Sequence, residues 1–327
     1  MLVLTNPKDI TTDFVVLELN RRNVPVFRCD PEQFPLELSL EVNFAETMRG
    51  VLRLADRSVR LEEIGCVYYR RPGDFRITSS LSEGEQVWAR REAKHGFYGA
   101  IRSLPHWLNH PSAIENASYK PVQLRAAIES GLRIAATLVT NDCAAAADFA
   151  SKNSQSVYKT LGSPVFGDNY VQNYILTSLI DAAGLDESVS LTAHQFQAWV
   201  PKQFEVRLTV IDDDFHAARI DARTDKGAVD WRADPNDLVY SVIDTPLQVR
   251  AAVKRLMRKL DLRFGAIDFI VDHGDNWVFL EVNPNGQWAW IQLATGAPIA
   301  VSIADALTRS QAQGDSRLSG TSDSIGL

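Results

Sequence analysis

Residues 266–287, A-I-D-F-I-V-D-H-G-D-N-W-V-F-L-E-V-N-P-N-G-Q, read as two short alternating strands around a tight turn at Gly274-Asp275. That dipeptide suits a two-residue hairpin loop. Such a turn sets Asp268 directly opposite Glu281, with Asn283 one pleat step further along the same face. Opposed side chains have Cβ atoms about 5 Å apart, and like charges placed so repel. Two carboxylates and an amide oxygen on one rigid face make sense around a hard divalent cation, because Mg²⁺ takes one or two carboxylates and completes its shell with water and phosphates. A solvated face is the plainer reading of an arbitrary acidic pair. Here Phe269, Val271, Val278, Leu280 and Val282 are apolar, so the strands are expected to be buried on their other face. The hairpin points to a nucleotide-dependent enzyme.

The rest of the chain sets bounds on that reading. Its 327 residues suffice for two domains or one large one in lobes, and 45% hydrophobic with 23% charged residues is ordinary for a globular protein. A formal charge of −7 argues against a nucleic-acid binder. Cys29, Cys66 and Cys143 are scattered and odd in number, which fits a reducing compartment and neither a disulfide framework nor a zinc site. No apolar run approaches the roughly 18 residues of a membrane span, and M-L-V-L-T opens a strand with no basic n-region before it. A cytoplasmic chain with no membrane partner is the expectation.

Residues 2–5, 12–22 and 24–27 form a β-α-β start, without the G-x-G-x-x-G of a dinucleotide fold. A hairpin around 38–44 and 50–54, a strand at 66–69 running into Arg70-Arg71-Pro72, and helices at 83–103 and 118–131 follow. A strand is expected around 136–139 and a helical segment at about 171–183, where Tyr170, Tyr174, Leu176 and Leu179 stand near helical spacing. That stripe offers a groove for a bound peptide or is the core face of its own helix. Residues 311–327 lack apolar periodicity and read as a loose tail. There is no G-x-x-x-x-G-K-[ST], so a nucleotide here is not held by a P-loop.

These pieces in this order resemble the ATP-grasp superfamily of carboxylate ligases. Y-R-R-P near residue 70, V-D-W-R at 229–232 and N-P-N-G-Q-W at 283–288 resemble its peptide-cyclising branch, the maturases of graspetides (microviridin-type ribosomal peptides). The resemblance implies an α/β (α+β) ATP-grasp fold, with a βαβ pre-ATP-grasp domain at 1–115, a central subdomain at 116–200, a C-terminal subdomain at 201–310 and nucleotide between the two lobes. It implies ATP and two magnesium ions, held by Asp268, Glu281 and Asn283. Lys120 and Lys159 match the two nucleotide-binding lysines, compact charges suited to phosphate. Gln197, Ala198, Trp199 and Val200 match the hinge around adenine, and Glu205 the acid on the ribose hydroxyls.

Arg207 would point toward the phosphates, Arg232 toward the γ-phosphate or acyl phosphate with Asp234 nearby, and Arg219 and Arg223 toward the acceptor carboxylate. Arg70 and Arg71 would reach the cleft to meet the peptide or the phosphate end of ATP, and Tyr170 and Tyr174 the peptide. Either lysine, taken alone, reads better as a surface charge, and Arg223 reads equally as part of a solvated strand edge. No general base stands out among Asp221, His216 and Asp234. The implied partner is a ribosomally made precursor peptide, leader plus core, whose Asp or Glu carboxylates are joined to Ser, Thr or Lys, and the enzyme is expected as a homodimer. Addition of free amino acids to a protein or small acid, and a non-catalytic binding paralogue, are the competing readings.

Overall fold

The computed structural model describes residues 1–162, 165–166, 173–224 and 237–319, excluding the side chains of 165–166, 173–174 and 310–319. In its N-terminal unit, β1 (Leu2–Leu4) is wholly apolar and buried, as the centre of a parallel sheet must be. α1 (Ile10–Arg21) buries Val15 and Leu19, four residues apart, against it. β2 (Phe27–Cys29) completes the β-α-β start and leads into a three-stranded antiparallel meander, β3 (Leu38–Phe44), β4 (Met48–Leu54) and β5 (Arg57–Arg60). β6 (Val67–Tyr69), α2 (Glu83–Ile101) and β7 (Trp107–Leu108) close a parallel sheet in the order β2-β1-β6-β7.

Next come α3 (Pro111–Ser118), α4 (Lys120–Glu129) and β8 (Arg133–Ile134). A small lobe follows. β9 (Thr137–Thr140), β10 (Ser156–Lys159), β13 (Ser178–Ile180) and β14 (His194–Ala198) form an antiparallel sheet in the order β13-β10-β14-β9, with α5 (Cys143–Lys152) packed on it. The two-residue strands β11 (Val165–Phe166) and β12 (Asn173–Tyr174) pair with each other. The helix expected at 171–183 is therefore not formed: its described residues are strand at 173–174 and 178–180, and Ala182–Gly184 is a single 3-10 turn. With that helix goes the helical stripe proposed as a docking groove. Tyr170 lies outside the described residues, as do Arg232 and Asp234.

The large sheet has the order β17-β16-β15-β18-β19-β8, built from β15 (Lys202–Ile211), β16 (Asp214–Ala222), β17 (Leu238–Ile243), β18 (Phe264–Asp272) and β19 (Trp277–Asn283). α6 (Leu247–Lys259), α3 and α4 cover one face, where Val206, Leu208, Ile267, Phe269 and Phe279 meet Val253, Leu256 and Ala127. By packing, α4 thus lies against the large sheet. The opposite face is covered over half its length by the N-terminal sheet, α7 (Ala289–Thr295) and α8 (Ile299–Ser319), through Val3, Tyr68, Ala218, Ala266, Trp288 and Ile303. The other half is the floor of a cleft. The final helix runs to Ser319, into the stretch read as a loose tail, because residues 299–307 pack Ile303, Ala304 and Leu307 into that core and the helix continues beyond them. No helix among the described residues is long and apolar enough to cross a membrane.

Candidate functional site

The cleft, about 550 Å³, lies between the small lobe and the uncovered half of the large sheet. Its floor is set by strand register. Arg207 pairs with Asp268 across β15 and β18, and Asp268 with Glu281 across β18 and β19, so the three stand in one row on one face. The hairpin reaches this pairing by a different route from the one the sequence indicated. Its ladder ends at Val271 opposite Trp277, and the loop is longer than two residues: Asp275 donates to the Asp272 carbonyl at 3.0 Å and adopts φ +58°. A bulge at Leu280 then shifts the register by one, bringing Asp268 opposite Glu281 after all. Leu280 and Glu281 both line the cleft, as the two residues of a bulge can.

The repulsion expected of facing carboxylates is offset pairwise. Arg207 Nη1 donates to Asp268 Oδ2 at 3.1 Å, and Lys120 Nζ stands 3.1 Å from Glu281 Oε2. The Asn283 amide sits between the acids, 3.4 Å from an oxygen of each. Lys120 also donates to the Thr160 carbonyl at 2.7 Å, joining the floor to the small lobe one residue beyond Lys159. Two carboxylates with an amide beside them could hold a hard cation, and an all-oxygen set of this kind suits magnesium. Among the described residues no cluster of three His, Cys, Asp or Glu side chains forms an alternative centre.

Away from the acids the lining changes character. Val157, Val200, Ile270 and Leu280 make an apolar end, with Gln197 and Glu205 at its edge. Ile270 lies two residues from Asp268 on the same strand face, about 7 Å away. Gln197 is buried and donates to Thr137 Oγ1 at 2.9 Å. The amides of Ala198 and Trp199 donate to Ala136 and Gln155 carbonyls, fastening the hinge to the small lobe. Lys202, which sequence reasoning missed, forms an ion pair with Glu205 and stands 5.8 Å from the Trp199 ring centroid. Its K-x-x-E spacing was the available signal. Also missed were the side chains that hold β19 in place. Gln123 bonds both the amide and the carbonyl of Val282 at 2.9 Å, and Asn109 donates to the Phe264 and Pro284 carbonyls at 2.8 Å. Their partners are backbone atoms over 150 positions away in sequence, so no local pattern marks them.

The structure places Arg219, Asp221, Arg223, His216, Arg70 and Arg71 outside the cleft lining. Arg219 opposes Val206, whose side chain is in the helix-covered core, so Arg219 lies on the face opposite Arg207; it forks onto Asp221 at 2.7 Å and stacks 4.0 Å from Phe204. Asp221 is thereby removed as a base within the cleft. Arg223 is exposed just past β16. His216 bonds Ser302 of α8 at 2.9 Å, away from the cleft, and burial lowers its pKa despite the opposing charge of Asp214. Arg70 is buried, its Nη1 bonded to Asn285 Oδ1 at 3.0 Å and the Gly286 carbonyl at 3.1 Å, so it meets no ligand in the cleft. Arg71 is exposed and outside the cleft lining.

Comparison with known proteins follows the same lines. Residues 1–115 match the family model described as the MvdD pre-ATP grasp domain. No curated protein matches the sequence. Among solved structures, a Chryseobacterium gregarium RiPP-associated ATP-grasp ligase, in complex with ADP and a leader and core peptide, is 26% identical with a TM-score of 0.87 over 94% of this chain and 96% of that one. The macrocyclase MdnC of Microcystis aeruginosa MRC, bound with precursor peptide MdnA, is 25% identical with a TM-score of 0.82 over 94% and 99%. The macrocyclase MdnB of the same organism is 30% identical with a TM-score of 0.76 over 94% and 98%. The chain belongs to the RiPP-associated ATP-grasp ligases, enzymes of ribosomally made peptides.

Proposed function

We propose that the chain is an ATP-dependent macrocyclase of a ribosomal precursor peptide. On this reading it activates Asp or Glu side chains as acyl phosphates and closes ester or amide rings with Ser, Thr or Lys. The observation that carries it is the row Arg207–Asp268–Glu281 on the cleft floor, with Asn283 beside it and Lys120 and Lys159 lining the same space. The cleft is graded from apolar to charged, as a base joined to phosphates requires. ATP would set its adenine among Val157, Val200, Ile270 and Leu280, with Glu205 accepting from the ribose hydroxyls. Because the Ala198 and Trp199 amides already serve the small lobe, those two residues would meet the base through their carbonyl oxygens.

Asp268, Glu281 and Asn283 would hold magnesium, which when bound polarises phosphoryl oxygens and offsets their charge. Lys159, Lys120 and Arg207 meet the negative charge of the phosphates, and Arg207 is fixed for this by Asp268 and by Trp290, 5.7 Å from its guanidinium carbon. The peptide carboxylate attacks the γ-phosphorus, the bond to ADP breaks, and an acyl phosphate remains. A hydroxyl or amine of the same peptide then attacks the acyl carbon, loses its proton and expels phosphate. The chain's part is to position the reactants and exclude water. Arg232 and Asp234 remain proposed phosphate-end residues, and Arg71 a proposed peptide contact.

The test is incubation with ATP, Mg²⁺ and a candidate precursor peptide. Peptide-dependent phosphate release with loss of one water mass per ring is expected. Mass gained from free amino acids instead would assign the chain to the amino-acid-adding ligases, and nucleotide binding without any turnover would make it a binding protein.

A further inference from the structure

We propose that Arg70 is a positioning residue for the cation end of the site, acting through Asn285 and Gly286 on Asn283; this rests on the reading that the cleft binds magnesium and nucleotide. Arg70 directly follows β6 in the N-terminal unit, and its side chain is 1% exposed. Burying a guanidinium is costly unless its donors are matched. Here Nε and Nη2 have no hydrogen-bond partner, and the nearest acid, Asp9, stands 3.9 Å from Nε. Asp9 Oδ1, also buried beside it, is likewise unmatched. This is poor design for stability alone. What the arginine does make is a clamp: Nη1 reaches both Asn285 Oδ1 and the Gly286 carbonyl, while the Asn285 amide group donates back to the Arg70 carbonyl.

The clamped segment is short and close-packed. Gly286 donates to the Asn283 carbonyl at 3.2 Å, and a Cβ on Gly286 would come within 2.6 Å of the Ala266 Cβ. Asn283 is the last residue of β19, opposite Ala266, and its amide meets the two carboxylates only at 3.4 Å, so the turn that follows it bears directly on where that amide stands. Arg70 thus lets the N-terminal unit determine where a cation ligand stands. Small displacements of a ligand group matter, because supporting contacts of this kind alter metal affinity by about 10–100-fold.

The test uses the full chain with Mn²⁺ as probe, in Asn285→Ala, which leaves the buried arginine in place, and in Arg70→Met and Arg70→Lys. Mn²⁺ affinity in the presence of ADP is read by electron paramagnetic resonance, ADP affinity in EDTA by calorimetry, and exchange of the Gly286 amide by mass spectrometry. Asn285→Ala is expected to weaken Mn²⁺ binding about tenfold or more and to speed Gly286 exchange, with ADP affinity in EDTA unchanged. Arg70→Met should match it and Arg70→Lys should recover part of the loss. Faster Gly286 exchange with unaltered Mn²⁺ affinity overturns the proposal, and an equal fall in both affinities reduces Arg70 to a structural role. If the unaltered chain binds neither probe, the nucleotide reading itself falls, and the proposal with it.

Discussion

The two walls of the cleft are built to different standards. The floor, β18 and β19, rests on a core in which twenty-one buried residues are described, and Gln123, Asn109 and Arg70 fasten its backbone at Val282, Pro284 and Gly286. The small lobe has three buried residues at its described core, Ala146, Val189 and Phe196, and leaves Val139, Leu179 and Leu191 exposed. Each buried aliphatic side chain contributes about 1.5–3 kcal/mol, so the floor is by far the more strongly buried wall. The acids are preorganised, and the lysine opposite them, Lys159, stands on a lobe that gains stability from whatever bridges the cleft.

That contrast can be broken most directly at Glu281. Glu281→Gln is expected to lower turnover on the order of 100-fold or more, with an unchanged circular dichroism spectrum and melting temperature because the floor's core is untouched. Retained ring formation would remove the acid row from the mechanism. Lys159→Ala, on the softer wall, should weaken nucleotide binding by about 10- to 100-fold, the worth of a charge-assisted hydrogen bond, and calorimetry showing an unchanged Kd would take Lys159 out of the site. ADP with Mg²⁺ should slow hydrogen exchange of the β10 and β14 amides more than those of β18; equal protection of both walls would erase the distinction between them.

The smallest effect concerns acid. Burial would raise the Asp9 pKa, but the Thr12 hydroxyl, the Arg70 charge and the Thr5 hydroxyl together hold it below its ordinary 3.8. A carboxylate lowered in the folded state stabilises at neutral pH, and that contribution is lost as pH falls from about the ordinary value through the folded one. Chemical denaturation between pH 5 and 3 should therefore show a steeper decline for the wild type than for Asp9→Asn, and parallel curves would mean that Asp9 contributes nothing.

Much of the floor was legible because hairpin residues interact locally. Asp268, Glu281 and Asn283 fall on one face by strand periodicity, although the loop was misjudged and the Leu280 bulge, which restores their register, has no sequence signature. Lys120, Lys159 and the 197–205 hinge were found through resemblance, and all line the cleft except Gln203, Phe204 and Pro201 of that hinge segment. Arg219 was misplaced because lying on β16, the strand that pairs with Arg207's own, does not reveal which face a residue takes; one step in register inverts it.

Period and composition alone determined that the chain alternates helices and strands and carries an acid pair on a rigid hairpin, since these depend on neighbours a few residues apart. Which charges reach the cleft was decided only in three dimensions. Arg70 looked like a ligand-facing residue and is an internal clamp, while Asn109 and Gln123 looked unremarkable and hold the acid-bearing end of the sheet. The reason is physical: a buried polar side chain bonds to whatever partner packing brings within reach, and here those partners come from the far end of the chain.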